Sequence, residues 1–207
     1  VRQLCRQFPD EYFRKVDAQA AYPEAFVDAL IEAGWLAAMI PEPYGGTGLG
    51  LGAATVIMEE INRSGGNAGA VHGQMYNMGT LLRHGSPAQK DKYLPAIAAG
   101  RLRIQSMAVT EPSTGSDTTR IKTSAVRRGD RYLVNGQKVW ISRVQHSDLM
   151  ILLARTTPLA DVVKKSEGMS IFIVDLRQAI GHGLTVRPIA NMVNHETNEL
   201  FFENLEI

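Results

Sequence analysis

The feature that most constrains the fold is a change of hydrophobic period near Leu102. Before it, apolar residues recur every three or four positions; after it they alternate, and β-branched residues and turn pairs take over. Helix and strand need different periods, so the chain is expected to be α+β. An all-α domain over residues 1–104 should precede an antiparallel β-barrel or sandwich over residues 105–207. With 207 residues, 44% of them apolar, each half is long enough to bury a core.

Capping chemistry marks the helices of the first half. Tyr22-Pro23-Glu24 places proline and an acid at a helix start, followed by Phe26, Leu30 and Ala33 at helical spacing up to Gly34. Ser86 is a good N-cap with Pro87 in the first turn, and Gly100 closes that helix. Two more helical stretches run from about Ala53 to Arg63 and from Ala68 to His84. In the second half, Arg128-Gly129-Asp130 separates two strands, and Asn135-Gly136 predicts a two-residue hairpin turn before a strand over Gln137–Ser142. Further strands are expected at Leu149–Ala154, Ser170–Val174, Leu184–Ile189 and Glu199–Phe202, with a long loop over Thr156–Gly168.

Several functions are disfavoured by the same residues. Twenty-two basic residues against 21 acidic ones, with no cluster of Lys/Arg interleaved with aromatics, give no nucleic-acid footprint. No apolar run approaches the roughly 18 residues of a membrane span. The single cysteine, Cys5, excludes an internal disulfide and fits a reducing, cytoplasmic setting. A start at Val1 and an end just after a strand-like run read as a piece of a longer protein. Gly48-Leu49-Gly50-Leu51-Gly52 has the letters of a dinucleotide fingerprint, but Pro41-Glu42-Pro43-Tyr44-Gly45-Gly46 precedes it instead of an apolar strand. His195-Glu196 lacks the second histidine of a zinc-protease motif, and no metal is expected.

Two segments carry chemistry. Met107 to Asp117 reads as a strand ending in a loop of hydroxyls, one glycine and a proline, a loop able to hold polar ligands. Lys138-Val139-Trp140-Ile141-Ser142 alternates, placing Trp140 and Ser142 on one face with an aromatic plane beside a hydroxyl. Taken alone, the first is a Ser/Thr-rich turn and Trp140 is core.

Together, Val109-Thr110-Glu111-Pro112-x-x-Gly115-Ser116-Asp117 and Asn135-Gly136-Gln137-Lys138-x-Trp140-Ile141-Ser142 resemble the paired signatures of acyl-CoA dehydrogenases. Pro41-Glu42-Pro43-Tyr44-Gly45-Gly46-x-Gly48 and Gln89-Lys90-x-Lys92-Tyr93-Leu94-Pro95 extend the resemblance over essentially the whole chain. The resemblance implies that FAD is bound by Met107, Val109, Thr110, Gly115, Ser116, Trp140, Ile141 and Ser142. Thr110 would meet the pyrimidine end and Ser116 the pyrophosphate and the acyl-CoA, while Trp140 and Ser142 lie on the isoalloxazine near N5. His72 and Tyr76, four apart on a helix, would line the acyl cavity. The implied reaction is α,β-dehydrogenation of an acyl-CoA thioester by a homo-oligomer, dimer or tetramer, that passes electrons to an electron-transfer flavoprotein.

The family's catalytic Glu belongs to a carboxy-terminal helical domain, so no residue here inherits that role, and Glu111 and Asp117 are expected to shape the loop. Arg120 stands where the family has a small residue, and Arg143-Val144-Gln145-His146 where it has a Gly-rich turn. An acyl-CoA oxidase, a flavin monooxygenase or a non-catalytic binding module on the same scaffold are the alternatives.

Overall fold

Helices and strands segregate along the chain. In the computed structural model, which describes residues 1–207, they form two units, Val1–Gln105 and Ser106–Ile207. The first holds α1 (Arg2–Cys5), α2 (Asp10–Ala18), α3 (Glu24–Glu32), α4 (Leu51–Arg63), α5 (Gly69–His84) and α6 (Pro87–Ala98). Its helix ends follow local chemistry. Pro23 caps α3, with Glu24 at the positive end of the helix dipole. At α6 the Ser86 hydroxyl accepts from the Gln89 amide at 3.2 Å and the Gln89 side chain accepts from the Ser86 amide at 2.9 Å, a reciprocal capping box.

Phe26 and Leu30 of α3, Ile57 and Ile61 of α4, and Val71 and Met75 of α5 share one buried apolar cluster. Arg103 closes the unit by pairing with Glu24 and Asp28 of α3, each at 2.6 Å. The glycine-rich stretch before α4 is irregular, with no strand leading into it, and close packing demands glycine at Gly46 but not at Gly50 or Gly52. A Cβ on Gly46 would sit 2.0 Å from the Ile40 carbonyl oxygen, so only glycine lets the loop fold back there. No helix of the chain is long and apolar enough to cross a membrane.

The second unit is one sheet of seven strands: β1 (Ser106–Ala108), β2 (Ser124–Arg128), β3 (Arg131–Ser142), β4 (Leu149–Arg155), β5 (Met169–Asp175), β6 (Leu184–Pro188) and β7 (Thr197–Glu206). A short helix, α7 (Leu176–Ala179), follows β5. The order is β1-β4-β2-β3-β7-β6, with β5 on the other side of β4. Here the expectation of a purely antiparallel sheet needs correction. β1 and β2 both pair with β4 in parallel, so the sheet is mixed. The reason is connectivity: β1 reaches β4 only after the long excursion through β2 and β3, and such a crossover brings a strand back in the same direction. Ala108, Ala125, Ile141, Leu152, Val174, Leu184 and Phe202, one from each strand, fall in a single buried cluster, which requires the sheet to curl over its own face.

A second correction concerns Asn135-Gly136. The tight turn lies at Gly129-Asp130, between the paired Arg128 and Arg131, and β3 runs without a break through Asn135 and Gly136. The register to β7 shifts between Val134 and Gly136, so the pair forms a bulge. Asn135 spends its side chain across the sheet, where its Oδ1 accepts from the Asn204 amide at 2.9 Å. Gly136 sits at φ 149°, and a Cβ there would lie 2.7 Å from the Thr123 Cα. Gly136→Ala is therefore expected to destabilise the β unit by about 2–3 kcal/mol through overpacking against backbone, with urea unfolding as the check.

Candidate functional site

The chain leaves β1 as Val109-Thr110 and turns back at once: the Thr114 amide donates to the Glu111 carbonyl at 3.0 Å, and the Glu111 amide to the Thr114 carbonyl at 2.9 Å. Pro112 and Ser113 fill the tip, and Gly115-Ser116-Asp117 lead out exposed to solvent. Asp117 then accepts from the Thr119 amide at 3.2 Å and starts a single helical turn.

What holds this loop against the sheet is a buried ion pair. Lys138 on β3 is 0% exposed and Glu111 5%, and Nζ donates to the carboxylate at 3.0 Å and to the Val109 carbonyl at 2.9 Å. The two Glu111 oxygens also accept from the amides of Lys122 and Thr123, at 2.7 and 2.8 Å. Burial alone would raise the carboxyl, but hydrogen bonds from Thr123 and the Lys122 amide, with the charge of Lys138, outweigh it and hold the group below the usual carboxylate range. Burial also lowers the Lys138 ammonium, against the opposing pull of Glu111. The Val139 amide adds a further tie, donating to the Thr110 carbonyl at 2.9 Å. The two signature segments are thus fastened side by side.

Just beyond that tie, β3 bulges. Lys138 pairs with Leu200 and Ile141 with Asn198, so Val139 and Trp140 together face a single residue of β7. Trp140 takes a left-handed conformation, φ 62°, and its side chain is 60% exposed. A large apolar plane turned outward by strained backbone is unusual for a side chain with no ligand to meet. Val139 and Ile141 point inward, and Ile141 is only 2% exposed, which leaves its backbone as the part within reach of a neighbour. Ser142 is half-buried, and its Oγ accepts from Asn194 Nδ2 at 3.0 Å. At Gly115 an added Cβ would meet nothing nearer than Thr110 Cγ2 at 3.9 Å. The protein's own packing does not demand glycine there; close approach of a ligand to the backbone would. Exposed indole, adjacent hydroxyl and open loop backbone together fit a planar, polar-edged cofactor such as a flavin.

Met107 lies in β1 paired with Ile151, Val109 and Thr110 are half-buried beside β3, and Ser116 is exposed. His72 and Tyr76 belong to the α unit, on one face of α5 with their rings edge-to-face at 5.0 Å. They border a cavity of about 330 Å³ whose other walls include Met39, Met58 and Met75. No group of three or more His, Cys, Asp or Glu side chains is placed to hold a metal ion. Two parts of the site escaped the sequence reading. The Glu111–Lys138 pair was spelled out inside the signatures, yet nothing linear joins charges 27 residues apart. Asn194 lies in a loop without motif or period.

A helical unit followed by a curled mixed sheet, with the two signature segments fastened side by side, defines the class of protein. Residues 1–101 match the profile described as Acyl-CoA dehydrogenase, N-terminal domain, and residues 106–205 that of the middle domain. The chain belongs to the acyl-CoA dehydrogenase family. It is 33% identical over 197 residues to a cyclohex-1-ene-1-carbonyl-CoA dehydrogenase of Geobacter metallireducens, covering 93% of this chain and 50% of the relative. A glutaryl-CoA dehydrogenase of Desulfococcus multivorans is 35% identical over 193 residues, covering 90% of this chain and 47% of the relative. Among solved structures, an acyl-CoA dehydrogenase from Geobacillus kaustophilus superposes with a TM-score of 0.87 at 29% identity, covering 100% of this chain and 54% of that one. The chain thus spans about half the length of the relatives it matches.

The ion pair generates a test with a defined sign. Lys138→Met leaves a buried carboxylate without its counter-charge and should cost about 3–5 kcal/mol at neutral pH. In the parent, the stability contributed by the low Glu111 pKa is present above the unfolded carboxylate value and is lost as pH falls through the folded one. In the variant the carboxyl rises and protonates first, so the gap between the two proteins should narrow on acidification. Urea unfolding at pH 7 and at about pH 4.5 measures it.

Proposed function

We propose that this chain supplies the α domain and the flavin-binding β domain of an FAD-dependent acyl-CoA dehydrogenase, which converts an acyl-CoA thioester to its trans-2-enoyl product. The observation that carries the reading is the fastening of the Val109–Ser116 loop to the Trp140–Ser142 bulge through Lys138, Glu111 and the Val139 amide. That arrangement sets an exposed aromatic plane, a hydroxyl and open backbone together near the end of β3. Bound there, FAD would supply the acceptor for the hydride leaving the substrate β-carbon.

The chain's own residues bind and orient. Trp140 offers its plane to the isoalloxazine, and Ser142 a hydroxyl near N5. The loop from Met107 to Ser116 contributes backbone and hydroxyl groups to the pyrimidine and pyrophosphate, with Ser116 also facing the thioester. Removal of the α-proton is assigned to a carboxylate outside these residues. Glu111 is already committed to Lys138 and two backbone amides, and Asp117 to its helical turn. His72, Tyr76 and the Met-lined cavity beside them are proposed to set the length or branching of the acyl group. Relatives named for cyclohex-1-ene-1-carbonyl-CoA and glutaryl-CoA support an acyl-CoA thioester as the substrate class without choosing the acyl group. A homo-oligomer that delivers electrons to an electron-transfer flavoprotein completes the proposal.

The test is the visible absorption of the protein expressed from its complete reading frame, before and after anaerobic addition of a panel of acyl-CoAs. Flavin bands that bleach with one thioester establish the half-reaction and its substrate class. A bound flavin that no thioester bleaches would move the assignment to monooxygenase chemistry or a binding module, and oxygen consumption would mark an oxidase. Trp140→Ala should weaken FAD retention roughly tenfold, since an aromatic contact contributes about 1–1.5 kcal/mol beyond its buried area. Equilibrium dialysis of the cofactor measures that loss.

A further inference from the structure

Four side chains around the end of β3 wire the Ser142 hydroxyl in one direction. Ser142 pairs across the sheet with Thr197, and Asn194 sits over both in a left-handed conformation, φ 57°. Thr197 Oγ1 donates to the Asn194 backbone carbonyl at 2.8 Å. A threonine hydroxyl has one proton, so in its contact with the Asn194 side chain at 2.7 Å it can only accept. The atom facing it must therefore be Nδ2 and not Oδ1, an orientation that the approach of Arg143 Nη2 to Oδ1 at 3.4 Å reinforces. One Nδ2 proton goes to Thr197 and the other to Ser142 Oγ at 3.0 Å. Ser142 is an acceptor toward the protein, which leaves its own proton to be given outward, beside the exposed Trp140.

Resting on the flavin reading above, we propose that Asn194 is a positioning residue that occupies one lone pair of Ser142 and so keeps its proton available for donation to the cofactor edge, with Thr197 fixing the orientation of the Asn194 amide. With one of its lone pairs taken by Asn194 Nδ2, the Ser142 hydroxyl has no protein acceptor among these contacts for its proton, which stays available on the outward side. Such a donor favours a cofactor nitrogen that gains electron density, so Asn194 acts on the flavin's readiness to be reduced without touching it. Arg143 and Asn194, both in left-handed backbone, hold the loop and the strand end in the geometry this requires.

The test uses the flavin-loaded protein from its complete reading frame and three variants. Asn194→Asp replaces a donor by a carboxylate that accepts the Ser142 proton and turns it inward. The reduced-to-oxidised flavin equilibrium should shift about tenfold or more toward oxidised, roughly 30 mV for a two-electron couple. Asn194→Ala should shift it the same way by less. Thr197→Ser, which keeps one proton and one acceptor, should leave it unchanged. Variants that lower the melting temperature while the potential stays at the parent value would overturn the proposal and leave the flavin reading intact.

If the parent protein retains no flavin, the functional reading fails, and the wiring is then judged by NMR of the Asn194 side-chain amide. Two Nδ2 protons protected from exchange, one of them released by Ser142→Ala, support the Asn194 positioning role. Two freely exchanging protons overturn it.

Discussion

The arrangement of the second unit depends on one buried ion pair. Lys138 and Glu111 lie fully inside the protein, where an unpaired charge would cost several kcal/mol. The sequence meets that cost by giving each partner more than the other: Lys138 also reaches the Val109 carbonyl, and Glu111 also accepts two backbone amides. Those extra bonds end on two different stretches of chain, at Val109 and at Lys122-Thr123. The pair therefore joins the end of β1, the approach to β2 and the middle of β3 at one point. A pair of apolar residues would fill the same volume but would leave the Lys122 and Thr123 amides without acceptors. The charges are kept because they organise backbone, and the loop from Val109 to Thr123 is the backbone they organise.

From that point the geometry of the site follows in order. Fixing Lys138 inward fixes the register of β3 against β7 at Leu200. Three residues on, Ile141 must also point inward to complete the core, and the bulge absorbs the extra position. Trp140 is the residue left over. Its exposure is thus a consequence of two inward anchors placed three apart on a strand whose natural period is two. The bulge sets the plane, and the loop fastened by Glu111 sets what stands next to it.

The sequence reading reached different depths in different places. The division into helical and stranded halves was legible because hydrophobic period is a summed signal over many residues, and helix starts such as Ser86-Pro87 were legible because capping is local. The hairpin at Asn135-Gly136 was misread for the same reason. That dipeptide favours a turn in isolation, but β7 supplies a partner on the far side, and Thr123 leaves no room for a side chain at Gly136. The parallel pairings of β4 were not legible at all, since strand direction depends on where the chain returns and not on what it is made of. In the candidate site, the two signature segments could be quoted from the sequence, whereas the pair that fastens them could not.

Asn194 shows the limit most clearly. As one polar letter between Val193 and His195 it carries no period, no capping role and no motif, and every rule of local reading passes over it. Its meaning arises only when β7 folds back beside β3 and brings Thr197 opposite Ser142. A proton count then does what pattern cannot. Thr197 has a single proton to give and gives it to backbone, so the amide above it has one allowed orientation, and the serine beside it meets a donor on its protein side. The protein-side partner of a hydroxyl at the end of β3 is thus a residue 52 positions away, oriented through three hydrogen bonds and brought there by the pairing of two strands.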